Sequence, residues 1–241
     1  MIIINADDFG VNVKTNKAIC YCFKKGFITS TTMLCNGKGF NDAINRAKKL
    51  NIVSKIGLHF NLDSGFPLTE RIKKCNRICD SEGKFIYKRN SIWLWTKEEK
   101  RCIKEELIAQ IKILRNNGVP ISHFDSHHHI HTEIFLFLIL FRILKNNGIN
   151  KVRISRNDKK NIYSLKYIYK AAFNKILKIL NFTTTKEFYS LSTYYSLDTD
   201  KDNYVSIELM CHPTMISNQI VDSSGHEFLK VSGNLISYNE L

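Results

Sequence analysis

Short apolar, β-rich runs alternate with longer amphipathic stretches along most of this chain. Ile2-Ile3-Ile4-Asn5 predicts a strand. Asn12 to Lys25 then puts Ala18, Ile19, Cys22 and Phe23 on one helical face, with Gly26 as the stop. Thr31 to Cys35 predicts a second strand, Asn41 to Leu50 a helix, and Lys55 to Leu62 a third strand. Thr96 to Asn117 predicts a long amphipathic helix; Thr96 is suited to its N-cap, and Thr96-x-x-Glu99 has the spacing of a capping box. Ile121 to Asp125 predicts a strand, Glu133 to Lys145 a helix, Lys151 to Ser155 a strand and Ser164 to Leu180 a helix. Phe188 to Leu191, Val205 to Met210 and Leu235 to Tyr238 predict further strands.

Repeated strand-then-helix order argues for parallel strands joined by crossover helices. Seven or eight mostly parallel strands predict an α/β fold, an irregular (β/α) barrel, with residues 1–241 as one domain. A doubly wound open sheet is the alternative, but the chain lacks its Gly-rich phosphate loop. Residues 63–95 fall outside the alternation. They form a long irregular insertion carrying Trp93 and Trp95, placed after a strand, where barrels carry function.

Composition narrows the function classes. No run approaches the ~20 apolar residues that cross a bilayer, and Phe135 to Leu144 is interrupted by Arg142, which suits a buried helix. Met1-Ile2-Ile3-Ile4 leads quickly to Asp7-Asp8, the pattern of a first strand rather than an export signal. Seven cysteines without paired zinc spacing predict free thiols in a reducing cytoplasm. The net charge of +14 raises nucleic-acid binding as a rival. Against it, the lysines are scattered, as at Lys48-Lys49, Lys73-Lys74 and Lys159-Lys160, and no recognition motif accompanies them.

The chemistry gathers at four strand ends: Asn5-Ala6-Asp7-Asp8-Phe9-Gly10, Gly57-Leu58-His59-Phe60-Asn61, His123-Phe124-Asp125-Ser126-His127 and Glu208-Leu209-Met210-Cys211-His212-Pro213. Four of the eight histidines sit at 127, 128, 129 and 131, and imidazole is the commonest protein ligand for a transition metal at neutral pH. Period-two alternation puts Gly57, His59 and Asn61 opposite Leu58 and Phe60, and His123, Asp125 and His127 opposite Phe124. It likewise puts Glu208, Met210 and His212 opposite Ile207 and Leu209. The polar faces then converge inside the barrel mouth. Two adjacent carboxylates, Asp7 and Asp8, are hard to bury without a cation. A divalent ion on Asp8, His59 and His127 would have three protein ligands and open positions for water. Asp7 is then placed as general base, His212 as acid, and Asp125 as the group that fixes an imidazole tautomer. The bland readings stay open: Asp7-Asp8 as a helix cap or turn, and His59 as a satisfied core histidine.

Those four strand ends, with Thr29-Ser30-Thr31-Thr32, Asn36-Gly37 and Leu235-Ile236-Ser237-Tyr238, resemble the YdjC-like carbohydrate deacetylases in order over nearly the whole chain. The resemblance implies a distorted barrel and a divalent metal, magnesium by the usual assignment with zinc as the alternative. It implies hydrolysis of an N-acetyl group from a small amino sugar, such as the chitin disaccharide. By this resemblance His59 and His127 match the family's metal-binding histidines and Asp8 its metal-binding aspartate, while Asp7 matches the catalytic base of the related polysaccharide deacetylases and His212 their catalytic acid. Homodimers are common in the family, so a homodimer is the candidate assembly, with no nucleic acid and no membrane. Only Thr214 to Asn234 separates His212 from the final strand, so a missing helical cover is expected there, and an inactive member is one rival reading. Ser217 stands where relatives often carry an acidic residue. A third rival is a hydrolase using the same ligands on a different amide or on a phosphoester.

Overall fold

The run Ile2-Ile3-Ile4 opens β1 (Ile2–Phe9), whose apolar, β-branched start suits a strand covered on both faces. The computed structural model describes residues 1–92, 94–157, 164–196, 205–216, 219–228 and 230–241. Strand β1 lies between β2 (Ser30–Met33) and β6 (Ile207–Cys211) in a six-stranded parallel sheet. β3 (Ile56–Phe60) and β4 (Phe124–Ser126) extend the sheet on one side and β5 (Glu187–Ser190) on the other, giving the order β4-β3-β2-β1-β6-β5. Beyond β4, Val152 bridges to Phe124 and Lys151 to Thr183, four residues ahead of β5. The sheet therefore curls toward closure, as the barrel reading expects. Two of the expected strands, 151–155 and 235–238, are reduced to bridge pairs at Lys151, Val152 and Leu235.

The helices follow their sequence signals. α1 (Val13–Lys25) is capped by Asn12, which accepts from the Thr15 amide, and ends at Gly26 with φ 72°. α2 (Phe40–Lys49) buries Phe40, Ala43, Ile44 and Ala47. α3 (Lys97–Asn116) starts with the capping box expected at Thr96 and Glu99, both reciprocal hydrogen bonds being present. α4 (Ile134–Asn146) packs on α3 and meets α5 (Leu165–Ile179) through Phe137 and Phe173, and the short α6 (Leu191–Tyr195) follows β5. None of the described helices is long and apolar enough to cross a membrane. All seven cysteines are unpaired and buried.

The stretch between His212 and the final bridge does not run bare. It holds no helix among the described residues, in keeping with the missing helical cover, and instead forms an antiparallel hairpin, β7 (Pro213–Ile216) and β8 (Gln219–Asp222), whose first strand packs against α1. Ser217 lies outside the described residues. Insertion 63–95 is irregular but anchored: the amides of Leu68 and Thr69 donate to the buried Glu106 carboxylate at 3.0 and 2.9 Å. Trp95 packs on Tyr87 and lines an outer groove with Leu94, Phe135 and Leu138, not the cleft described next. Trp93 lies outside the described residues.

Candidate metal centre and active-site cleft

The end of β1 is irregular in a way the chemistry needs. Its register with β2 shifts between Ala6 and Phe9, and Asp8 takes a left-handed φ of 68°. In a regular strand, neighbouring side chains point to opposite faces. The bulge instead lets both Asp7 and Asp8 line one cleft of about 560 Å³. His59, His127 and His212 line it too. The five residues singled out in the sequence thus meet in one place.

His59 sits directly across the β3–β4 ladder from Asp125, and its Nδ1 is 2.7 Å from Asp125 Oδ1. Thr32 Oγ1 donates to the other Asp125 oxygen at 3.0 Å. With Nδ1–H given to Asp125, the second nitrogen of His59 turns to the cleft, 3.3 Å from Asp8 Oδ1. His127 Nδ1 lies 3.0 Å from the same Asp8 oxygen. One ligand atom from each of Asp8, His59 and His127 falls within 4.8 Å of the others. One carboxylate and two imidazoles at this spacing are consistent with a divalent cation. Burial opposes charge on His59, but Asp125, Asp8 and Asp7 push its pKa well above the ordinary value, so this spot attracts positive charge.

Two other groupings have comparable spacing. In Asp7, His59 and Asp125, both carboxylates already face a guanidinium. In Asp63, His127 and His128, the exposed His128 is paired with Asp63 at 2.8 Å at the rim. The Asp8 grouping is the one whose donors face open cleft.

Arg153 is the functional residue that the sequence reading passed over. It is fully buried. Its Nη1 and Nη2 donate to the two oxygens of Asp7, each at 2.7 Å, Nη1 also reaches Asp125 at 2.7 Å, and Nε donates to Glu208 at 2.7 Å. The cation that neutralises Asp7 is therefore this guanidinium. Burial alone would raise the Asp7 pKa, but Arg153 outweighs it and holds the carboxyl well below its ordinary range. Glu208 goes the other way: burial dominates, and its pKa is pushed up to about 7. One signal was available. Asp7, Asp125 and Glu208 were all assigned to the interior, and three inward carboxylates demand a buried cation.

His212 stands across the mouth, partly exposed, with Nε2 3.9 Å from Asp7 Oδ2. Its backbone amide is fixed by Asp222 Oδ1 at 2.7 Å. The remaining histidines do other things. His123 is buried with its pKa pushed well down, by burial first and Arg153 second. Its ring occupies space that only Gly57 leaves free, since a Cβ there would lie 2.6 Å from it. His131 bonds Ser126 Oγ at 2.6 Å. His129 also lines the cleft, with its pKa pushed down to about 3 by burial and Arg153.

The family model for YdjC-like protein matches residues 1–239. The chain belongs to the YdjC-like family. A carbohydrate deacetylase of Clostridium beijerinckii is 30% identical over 238 residues, covering 95% of this chain and 88% of that one. A carbohydrate deacetylase of Halalkalibacterium halodurans is also 30% identical, covering 100% and 94%. A solved structure from Enterococcus faecalis V583, provisionally described as a cellobiose-phosphate cleavage protein, superposes with a TM-score of 0.67. It is 22% identical and covers 90% of this chain and 82% of its own, a likeness that carries the fold. Within this YdjC-like chain, the bulge, the β3–β4 register and the β6–β7 corner bring Asp7-Asp8, His59, His127 and His212 to the cleft.

Proposed function

We propose that this chain removes the N-acetyl group from a small amino sugar, a chitooligosaccharide such as the chitin disaccharide, using a divalent cation held by Asp8, His59 and His127. It is a hydrolase acting on carbon–nitrogen bonds. The observation that carries the reading is the convergence of those three donors beside an Arg153-bound carboxylate and a facing histidine in one cleft. The carbohydrate deacetylase relatives support the reaction class. The two imidazoles of the donor set suit zinc or a similar transition ion; magnesium, the usual assignment for the family, would lean on Asp8 and added waters.

Bound there, the cation supplies Lewis acidity to the acetamide carbonyl and lowers the pKa of a water molecule. Asp125 and Thr32 hold His59 in the tautomer that faces the cleft. Arg153 keeps Asp7 ionised and fixed, so its carboxylate orients the attacking water and takes its proton as the water oxygen bonds to the acyl carbon. His212 Nε2, on the far side, gives a proton to the departing amine nitrogen as the carbon–nitrogen bond breaks. Acetate and the free amino sugar result. The buried, unpaired thiols support a reducing, cytoplasmic setting.

The test is product analysis with the metal-loaded protein and the N-acetylated chitin disaccharide. Acetate release that stops with a chelator and returns with the metal is expected. Phosphate release from phosphoesters, with no acetate from any acetylated sugar, would give the site to the rival hydrolase reading.

A further inference from the structure

We infer that Glu208, anchored by Tyr238 of the C-terminal segment, is a positioning residue that sets Asp7 and Asp125 through Arg153; the assignment rests on the deacetylase reading for its activity arm only. A guanidinium is a rigid planar fork, so fixing one edge fixes where the others point. Glu208 holds the Nε edge of Arg153 at 2.7 Å, while the two Nη groups hold Asp7 and Asp125. The second oxygen of Glu208 accepts a short hydrogen bond from the Tyr238 hydroxyl. Neither Glu208 nor Tyr238 lines the cleft, so each acts through others.

Tyr238 reaches Asp7 by a second line as well. Its ring stacks on His123, with centroids 3.7 Å apart and planes 9° apart. His123 Nε2 lies 3.1 Å from Asn5 Oδ1, and Asn5 Nδ2 donates to Asp7 Oδ1 at 2.9 Å. The tyrosine is itself held firmly. Its amide donates to Ser30 Oγ at 3.2 Å, Lys151 Nζ donates to its carbonyl, and the neighbouring Asn239 donates to Ser54 O at 2.7 Å. Core filling does not account for the arrangement. Phenylalanine would fill nearly the same volume, and a third buried carboxylate around one cation costs desolvation that an apolar side chain would avoid.

The experiment compares metal-loaded wild type with Glu208→Gln, Tyr238→Phe, Asp7→Asn and the Asp7→Asn, Glu208→Gln double variant, measuring acetate release from the chitin disaccharide. Glu208→Gln and Tyr238→Phe should keep wild-type metal content and KM while kcat falls, by about tenfold and about threefold respectively. In the Asp7→Asn background, Glu208→Gln should add nothing to the loss, because both changes act at one group. An unchanged kcat in folded Glu208→Gln overturns the assignment. So does a loss that multiplies in the double variant, or one that tracks loss of metal or of fold. If Glu208→Gln fails to fold, Tyr238→Phe, which removes one oxygen, decides the matter by the same criteria. A crystal structure of the variant gives a readout free of substrate: Arg153 and the Asp7 carboxylate should be displaced, and unmoved positions overturn the inference. Wild type that releases no acetate would sink the deacetylase reading while leaving this structural readout to decide.

Discussion

Replacing Arg153 with Met should be among the most damaging single changes in the chain. The side chain is fully buried and faces Asp7, Asp125 and Glu208, all three also buried. Removing the cation leaves three carboxylates with no counter-charge. Breaking one buried ion pair costs about 3–5 kcal/mol, against a total stability of about 5–15 kcal/mol for a domain. For a chain of this size that corresponds to a fall in Tm of roughly 6–20 °C. The pH dependence has a definite sign. In wild type, Asp7 has a pKa held below 3.8, so its contribution is present above that unfolded value and lost as pH falls through the folded one. Without Arg153, burial raises the same pKa, and the variant gains relative stability as pH falls from 8 to 5. Urea unfolding followed by circular dichroism at both pH values measures this. A variant within about 1 kcal/mol of wild type at pH 8, or a deficit that does not shrink at pH 5, would refute the reasoning.

Asp7→Asn should keep its metal and lose turnover on the acetylated disaccharide, since the amide cannot accept the proton; unchanged turnover removes the base assignment. Glu208 has a pKa raised from 4.5 to about 7, so its contribution to stability is complete below 4.5 and is lost as pH rises through about 7. The stability of wild type relative to Glu208→Gln should therefore fall between pH 5 and 7.5, and a difference flat across that window contradicts the raised value. Gly57→Ala would place a Cβ 2.6 Å from the His123 ring and 2.7 Å from its carbonyl. A loss of about 1–3 kcal/mol is expected from such overpacking, and chemical denaturation showing no loss would mean that the ring and strand move aside freely.

Elements governed by local rules were legible in the sequence. The capping box at Thr96 and Glu99, the Gly26 stop and the β3–β4 strand ends needed only short-range chemistry, and each stands where expected. The convergence of His59, His127 and His212 was legible because period-two alternation and barrel topology together aim strand ends at one mouth, whereas alternation would separate Asp7 from Asp8 and only the bulge in β1 brings both to it. β1 runs on through Phe9 although its polar Asp7-Asp8 looked like a strand end, because β2 continues the ladder beside it past a bulge. Arg153 was harder to see. An arginine in Lys151-Val152-Arg153-Ile154-Ser155 reads locally as an exposed strand residue, and only the tally of inward carboxylates on other strands calls for it. The β7–β8 hairpin was missed because its strands are short and set by long-range packing on α1. Insertion 63–95 suggests function by its position after a strand, yet its Trp95 packs on Tyr87 and lines an outer groove, because loop position alone does not say which way a side chain packs.

The central claim is a single divalent cation on Asp8, His59 and His127. Elemental analysis of purified wild type beside His59→Ala and His127→Ala, each checked for folding, tests it most directly. About one divalent ion per wild-type chain and almost none in either folded variant is the predicted result. Full metal content in both variants, or none in an active wild type, would contradict it.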